Sequence, residues 1–339
     1  MSLTVSPTVS VVVPVHNGGS GFAKCLASLR ASESPPEEII VVADGDTDGS
    51  WRLAEELGVE VLRIPTPGGP ARARNLGARK ARGAILFFVD ADVTIRQDAV
   101  SRIAALFGKD PDLAAVIGSY DDAPGETNFL SQYKNLFHHY VHQTAKPVAS
   151  TFWGACGAIR REIFLSMGGF NEEYQRPCIE DIELGYRLNG AGFKIRLAKE
   201  LQIKHLKRWD IVSLVKADFF NRALPWTALI LNGEGFINDL NVKPSSRISV
   251  FTAYLLLLTL LGALYFPWLL IFSAFFAVVL LGINWDLYRF FGKKRGLSFA
   301  VKTIPWHWFY LFYSGLAFAI GLARWEMKRF VPRMRGFYP

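Results

Sequence analysis

The chain has little cysteine, and none of it in a metal-binding arrangement. Cys25, Cys156 and Cys178 are the only three. Their number is odd, with no Cys-x-x-Cys and no Cys/His spacing. That excludes a disulfide framework and a zinc-finger-like site, and it points to a reduced, cytosol-facing domain. Met1-Ser2-Leu3-Thr4 lacks a basic stretch followed by an apolar core, so no signal peptide is expected there. Internal repeats and low-complexity tracts are also missing. Charge is absent altogether between Ile248 and Trp285.

That last absence divides the chain. At ~1.5 Å per residue the uncharged stretch exceeds what one crossing of a ~30 Å hydrocarbon core needs. It reads as two helices with Pro267 near the turn, and Thr303 to Ala323 is a third uncharged stretch. The net charge of +8 gathers at their ends: Arg289, Lys293, Lys294, Arg295 and Lys302, then Arg324, Lys328, Arg329, Arg333 and Arg335. Basic clusters beside apolar segments favour anionic headgroups and the cytosolic side. The charge follows the apolar segments, which argues against nucleic acid as a partner.

The first two hundred residues alternate differently. Val9 to Val15, Glu38 to Ala43, Val59 to Ile64 and Ala84 to Val89 are apolar runs of strand length. Between them Phe22 to Ala31, Trp51 to Leu57 and Ala71 to Arg82 read as helices. This alternation predicts an α/β fold with a mainly parallel sheet. Ala114 to Ser119 is a further strand candidate. Asn128 to Gln143 is an amphipathic helix rich in aromatics and His, and Phe152 to Ile159 is a Gly-rich strand edge. Ile179 to Leu188 is a helix. Residues 206–247 mix basic and aromatic residues and read as helices at a membrane surface.

Asp90-Ala91-Asp92 follows the apolar run that ends at Val89. Carboxylates at a strand's carboxyl end lie where open α/β sheets bind ligands. Two of them suit a divalent cation that substrate phosphates also hold. A nucleotide-activated substrate is therefore expected. Gly68-Gly69-Pro70 leads into a helix start with Arg72 and Arg74, and backbone N–H groups and Arg both hold phosphate. Glu180 and Asp181 open a helix, where an acid either favours the dipole or serves as a general base. His205, among Lys204, Lys207 and Arg208, is a candidate metal or phosphate ligand. Arg222, four residues before Trp226, is a candidate diphosphate contact. Asp44-Gly45-Asp46-Thr47-Asp48-Gly49 with Glu55 matches an EF-hand loop, but the preceding Glu38 to Ala43 is strand-like.

Taken in order, Val11-Val12-Val13-Pro14-Val15-His16-Asn17, Asp44-Gly45-Asp46-Thr47-Asp48-Gly49-Ser50, Ala73-Arg74-Asn75-Leu76-Gly77 and Asp90-Ala91-Asp92 resemble a family. Gly168-Gly169-Phe170-Asn171-Glu172 and Ile179-Glu180-Asp181-Ile182-Glu183-Leu184 complete the series. The series resembles a family 2 glycosyltransferase with the GT-A fold, over roughly residues 8–205. The resemblance implies an inverting, metal-dependent transfer from a nucleotide sugar, with a UDP-sugar as the expected donor and Mg2+ or Mn2+ as cofactor. It implies a nucleotide-sugar site of Pro14, His16, Asn17, Asp44, Arg74, Asn75, Asp90, Ala91 and Asp92, with Asp44 on the nucleobase. Asp92, Asp90 and His205 would hold the metal, and Asp181 would be the base. Gly154, Ala155, Glu180, Arg222 and Trp226 would line the acceptor or diphosphate side.

Two positions depart from the family pattern. The second strand more often ends Asp-Asp-Gly-Ser, against Ala43-Asp44-Gly45-Asp46 here, and His16 replaces a Tyr or Phe. The Gln-x-x-Arg-Trp of membrane-bound synthases is only roughly matched by Asn221 to Trp226. The expected organisation is a GT-A domain over 1–205, interfacial helices over 206–247, about three membrane helices over 248–323 and a basic tail over 324–339. A lipid, lipid-linked or glycan acceptor follows, at the inner cell membrane, with the catalytic domain facing the cytoplasm. The rivals are a sugar-phosphate nucleotidyltransferase, which needs a basic Gly-rich loop after the first strand, and a non-catalytic membrane scaffold.

Overall fold

The computed structural model describes residues 6–234 and 243–335. The expected segments that fall on residues 1–5, 235–242 and 336–339 lie outside the described residues. By internal contacts the chain forms two units, Met1–Asp210 and Ile211–Pro339.

The first unit opens with β1 (Val9–Val15), α1 (Gly19–Arg30), β2 (Glu38–Asp44), α2 (Ser50–Glu56), β3 (Glu60–Ile64), α3 (Pro70–Lys80) and β4 (Ile85–Val89). Val11 to Val13, Ile40 to Val42 and Leu86 to Phe88 are fully buried. Apolar runs of this kind are those of strands covered on both faces by helices. β5 (Val93–Ile95), α4 (Ala99–Lys109), β6 (Leu113–Tyr120) and α5 (Phe129–Thr144) follow. Then come β7 (Cys156–Arg160), α6 (Arg161–Ser166), α7 (Glu180–Gly190) and β8 (Lys194–His205).

The eight strands make one sheet in the order β3-β2-β1-β4-β7-β6-β8-β5. The sheet is mixed, with parallel pairs outnumbering antiparallel ones, which agrees with the expected mainly parallel sheet. The pairs β1–β2, β1–β4, β2–β3 and β6–β8 are parallel. The pairs β4–β7, β5–β8 and β6–β7 are antiparallel. β7 enters against β4 in the opposite sense, so the regular βαβ alternation stops at β4. The carboxyl ends of β1, β2 and β4 remain side by side, and the candidate site stands there.

In the second unit, α8 (Ile211–Lys216) runs into π-helical turns over Ala217–Ala223, then α9 (Leu224–Leu229) and a second π-helical stretch, Ile230–Glu234. Asp218 is buried in the first of these and accepts a hydrogen bond from the Tyr313 hydroxyl at 2.9 Å. Then come α10 (Pro244–Gly262), α11 (Leu269–Ile283), α12 (Trp285–Arg295) and α13 (Leu297–Arg335). Pro267 lies in the connection between α10 and α11, as the sequence predicts.

Among the described residues, α10 is the one helix long and apolar enough to cross a bilayer by itself. α11 and α12 pass the same test together but are bent by 63° where they meet. The third expected segment, Thr303 to Ala323, is the middle of the long α13. Its Trp306, His307, Trp308, Tyr310 and Tyr313 dilute its apolar character.

Candidate active site

The turn after β1 is bound to the acidic turn after β2. Asn17 is the one described non-glycine residue with positive φ, at 53°. An Asn tolerates that conformation because its short polar side chain bonds locally. Its Oδ1 accepts from the Thr47 and Asp48 N–H groups at 2.8 and 3.2 Å. In return, Asn17 N–H donates to Asp46 Oδ1 and Gly19 N–H donates to Asp48 Oδ2, both at 2.9 Å. The Asp46 and Asp48 carboxylates thus bind backbone amides, which is turn chemistry and not a calcium loop. Desolvation pushes the Asp48 carboxyl up, but hydrogen bonds from Ser50 and Gly19 outweigh it and hold it at about 2.

Asp44, expected on the nucleobase, is buried with both oxygens engaged. Oδ1 accepts from Gly68 N–H at 2.8 Å and Oδ2 from Gly69 N–H at 2.7 Å. Its carbonyl accepts from His16 Nδ1 at 2.7 Å. Asp44 therefore fixes the Gly68-Gly69 loop over the end of β2, and the exposed His16 ring is fixed against the same strand end. Gly69 is obligatory, with φ at 90° and space in which a Cβ would meet the Gln175 carbonyl carbon at 2.6 Å.

Arg74 on α3 joins the two halves of the site. Nη2 donates to Asp90 Oδ1 at 2.7 Å and Nη1 to Glu180 Oε1 at 2.8 Å. Burial by itself would push this guanidinium down, but Asp90, Glu180 and Asp181 push it further up. The Arg74 side chain is only 5 % exposed, and its two bonds orient the Asp90 and Glu180 carboxylates. Gly154 makes room for it, since a Cβ there would lie 2.9 Å from Cζ. The Gly154 N–H donates to Asp181 Oδ2 at 3.0 Å, while Asp181 Oδ1 accepts from Ile182 N–H at 2.8 Å. Asp181 is half-buried, and an ionised carboxylate is acceptor-only, the chemistry a base needs. Glu180 is buried and also accepts from Cys178 N–H at 2.9 Å.

Asp92 and His205 meet through a strand pairing that the sequence did not reveal. Val93 opposes His205 in the β5–β8 ladder, which brings His205 Nε2 to 3.6 Å from Asp92 Oδ2. Tyr120 stacks on His205 at 4.5 Å and 13°, and Trp153 meets Tyr120 edge-on at 4.9 Å. Desolvation pushes the Asp92 carboxyl up, but His205 and Lys207 together hold it below the usual carboxylate range. Among the described residues no cluster of three or more His, Cys, Asp or Glu side chains is set to hold an ion. The pair Asp92 and His205 nevertheless fits Mg2+ or Mn2+ of the kind that shares few protein ligands with substrate phosphates. Asp90, the third expected ligand, is turned towards Arg74.

The remaining expected residues fall in different places. Pro14 is half-buried in β1 opposite Val42. Ala91 lies half-buried between the two acids, and Ala155 is buried before β7. Asn75 is buried and bonds the Phe170 N–H and carbonyl, both at 2.8 Å, so it holds the 169–172 loop. Arg222 belongs to the π-helical turns of the second unit and Trp226 to α9. Tyr120 and Trp153 were missed. The alternation Ile195, Leu197, Leu201, Ile203 was the signal that could have found β8 and its partner β5.

Residues 10–168 match the family described as Glycosyl transferase family 2. A pre-mycofactocin glycosyltransferase of Mycobacterium tuberculosis is 29 % identical over 212 residues, covering 60 % of this chain and 43 % of that protein. The chain thus spans less than half the length of the first curated relatives it matches. Among solved structures, the mannosyltransferase PcManGT from Pyrobaculum calidifontis, in complex with GDP-Man and Mn2+, is 18 % identical with a TM-score of 0.56. That match covers 93 % of this chain and 88 % of the other. S. aureus TarS 1-349 in complex with UDP-GlcNAc is 20 % identical with a TM-score of 0.50, covering 66 % and 67 %. These two carry the likeness of fold. The family match and the named relatives support a glycosyltransferase of family 2.

Proposed function

We propose that this chain is an inverting glycosyltransferase that moves a sugar from a nucleotide diphosphate sugar, a UDP-sugar first among them, to a lipid or lipid-linked acceptor at a membrane. The observation that carries the reading is the Arg74 clamp. It ties Asp90, at the end of β4, to the first turn of the helix that bears Asp181. The acid-bearing strand end and the candidate base are thereby held in one fixed relation. Productive geometry of this kind is what converts bound reactants into reacting ones.

In the reaction, the acceptor hydroxyl attacks the anomeric carbon from the side opposite the diphosphate. Its proton passes to Asp181, the new C–O bond forms as the old one breaks, and the nucleoside diphosphate leaves with the electron pair. Asp92 and His205 would hold a divalent cation, which would supply charge neutralisation for that leaving group. Asp90, Arg74 and Glu180 hold the geometry. UDP-GlcNAc and GDP-Man in the similar structures support a nucleotide sugar as donor.

For the membrane, α10, α11 and the connection between them expose Leu258, Leu264, Phe266, Ile271, Phe275 and Val278. So many exposed large apolar side chains support lipid as their surroundings. In this reading α10, α11 and the Thr303 to Ala323 part of α13 cross the membrane, and the basic residues of α12 support a cytosolic catalytic unit. The reading is tested with a panel of radiolabelled nucleotide sugars and membrane lipid extract. Label passing into the lipid phase with one donor supports it. Absence of sugar release and transfer with every donor overturns it.

A further inference from the structure

α5, the helix rich in aromatics and His, bears none of the residues placed at the site. One of its faces nevertheless grips the end of β6. Asn135, His139 and His142 are spaced so that they share one side of the helix. Asn135 Nδ2 donates to the Asp121 carbonyl at 2.8 Å, His139 Nδ1 to the Tyr120 carbonyl at 2.7 Å and His142 Nδ1 to the Gly118 carbonyl at 2.9 Å. A carbonyl only accepts, so each of these ring nitrogens carries the proton. The pairing of β6 with β8 shifts register between Ile117 and Ser119. Carbonyls at such an irregular strand end need partners outside the ladder, and α5 supplies them.

What this grip holds in place is the Tyr120 ring. Tyr120 pairs with Ile203 of β8, and His205, two residues further on, lies on the same face of the sheet. The Tyr120 and His205 rings stack at 4.5 Å and 13°. His138 tilts against the Tyr120 ring at 4.7 Å, and Trp153 meets it edge-on at 4.9 Å. The His205 backbone is fixed separately. Its carbonyl accepts from Gly125 N–H, and the next N–H, that of Leu206, donates to the Asp92 carbonyl, both at 2.8 Å. The ring is another matter. A metal-ligating imidazole is ordinarily oriented by a hydrogen bond from its second nitrogen. Among the described residues no such bond reaches His205, whose polar neighbour is Asp92 at 3.6 Å. The stacked face of Tyr120 therefore sets the plane of the imidazole.

We propose that Tyr120 is a positioning residue for the cation site. Its ring holds the His205 imidazole with Nε2 towards Asp92, and α5 holds Tyr120 through Asn135, His139 and His142. The proposal rests on the reading of Asp92 and His205 as the cation pair and adds the residues that orient that pair.

The test is equilibrium dialysis of radiolabelled UDP against the full chain in detergent at rising Mn2+ concentration. Tyr120→Leu should raise the Mn2+ concentration for half-maximal UDP binding by about 10-fold, the size of effect that loss of an outer support has on a metal site. Tyr120→Phe keeps the ring and should stay within about twofold of wild type. His139→Leu should shift the midpoint in the same direction as Tyr120→Leu, and His139→Asn, which retains an N–H donor, should restore it. In a His205→Ala background Tyr120→Leu should add nothing, because the ring it orients is gone. A merely structural role would leave an equal shift in both backgrounds. The midpoint describes the folded molecules and does not depend on their fraction, and Tyr120→Met, an unbranched replacement, provides a second variant without the ring. A wild-type midpoint in both Tyr120→Leu and Tyr120→Met, a Tyr120→Phe shift as large as theirs, or an equal shift with and without His205 overturns the proposal and leaves the cation reading standing. A wild-type midpoint in His139→Leu overturns the part assigned to α5. UDP binding by the wild type that Mn2+ does not affect overturns the proposal and the cation reading together.

Discussion

Arg74 Nη1 and Glu180 Oε1 lie 2.8 Å apart although 106 positions separate them in sequence, and both side chains are 5 % exposed. Removing one member of a buried pair leaves an uncompensated charge, at a cost of about 3–5 kcal/mol. Glu180→Ala should therefore lower the thermal unfolding midpoint clearly. Glu180→Gln, which keeps an acceptor for Nη1, should fall between it and wild type. Equal midpoints for all three would mean that solvent reaches Arg74 after all.

Asp181→Asn keeps size and hydrogen-bond geometry at Gly154 while removing basicity. Transfer should fall by ~100-fold or more, with donor binding nearly intact. Single-turnover rates beside equilibrium donor titration separate the two quantities. Wild-type transfer by the variant would reduce Asp181 to a helix-start acid.

Asp92→Ala and chelation with EDTA should have the same consequence, loss of turnover together with loss of cation-dependent UDP binding. His205→Ala should raise the Mn2+ concentration needed for half-maximal UDP binding. UDP affinity that ignores EDTA and both substitutions would remove the cation from the Asp92–His205 pair.

Asp48 contributes to acid tolerance with a definite sign. Its folded value of about 2 lies below the ordinary 3.8, so its stabilisation is complete above 3.8 and fades as pH falls through about 2. The gap in unfolding midpoint between wild type and Asp48→Asn should be widest near neutral pH and should close over that acid interval. A gap that does not vary with pH would assign the loss to packing. The same turn should bind no stoichiometric calcium at micromolar concentrations.

Three crossings would leave the tail on the far side of the membrane from the catalytic unit. A Tyr338→Cys variant lacking Cys25, Cys156 and Cys178 should then react with an impermeant maleimide on intact cells. Protection until lysis would mean a cytosolic tail, with α13 lying along the surface or turning back.

The first half of the sheet was legible because β1, β2 and β4 are continuous apolar runs with polar turns after them. The acids of the site were legible because they sit at strand ends. Beyond Val93 the signal weakens. β5 has three residues, and β8 interleaves Lys194, Arg196, Lys199, Glu200 and Lys204 with its buried positions. The pairing of Val93 with His205 depends on chain reversal at β7, which no local pattern encodes. The roles of Asp44 and Asn75 were unreadable for a different reason. An acid or amide near a ligand site looks the same in sequence whether it faces the ligand or a backbone amide, and here both face backbone.

The close fit of Gly69 against Gln175 has a mechanical consequence. The 67–69 loop is pinned to β2 by Asp44, and the 173–178 segment runs on into Glu180. A side chain at position 69 would press on the Gln175 backbone, and that segment leads directly into Glu180 and Asp181. The tightness of one glycine thus bears on the placement of an acid more than a hundred positions away.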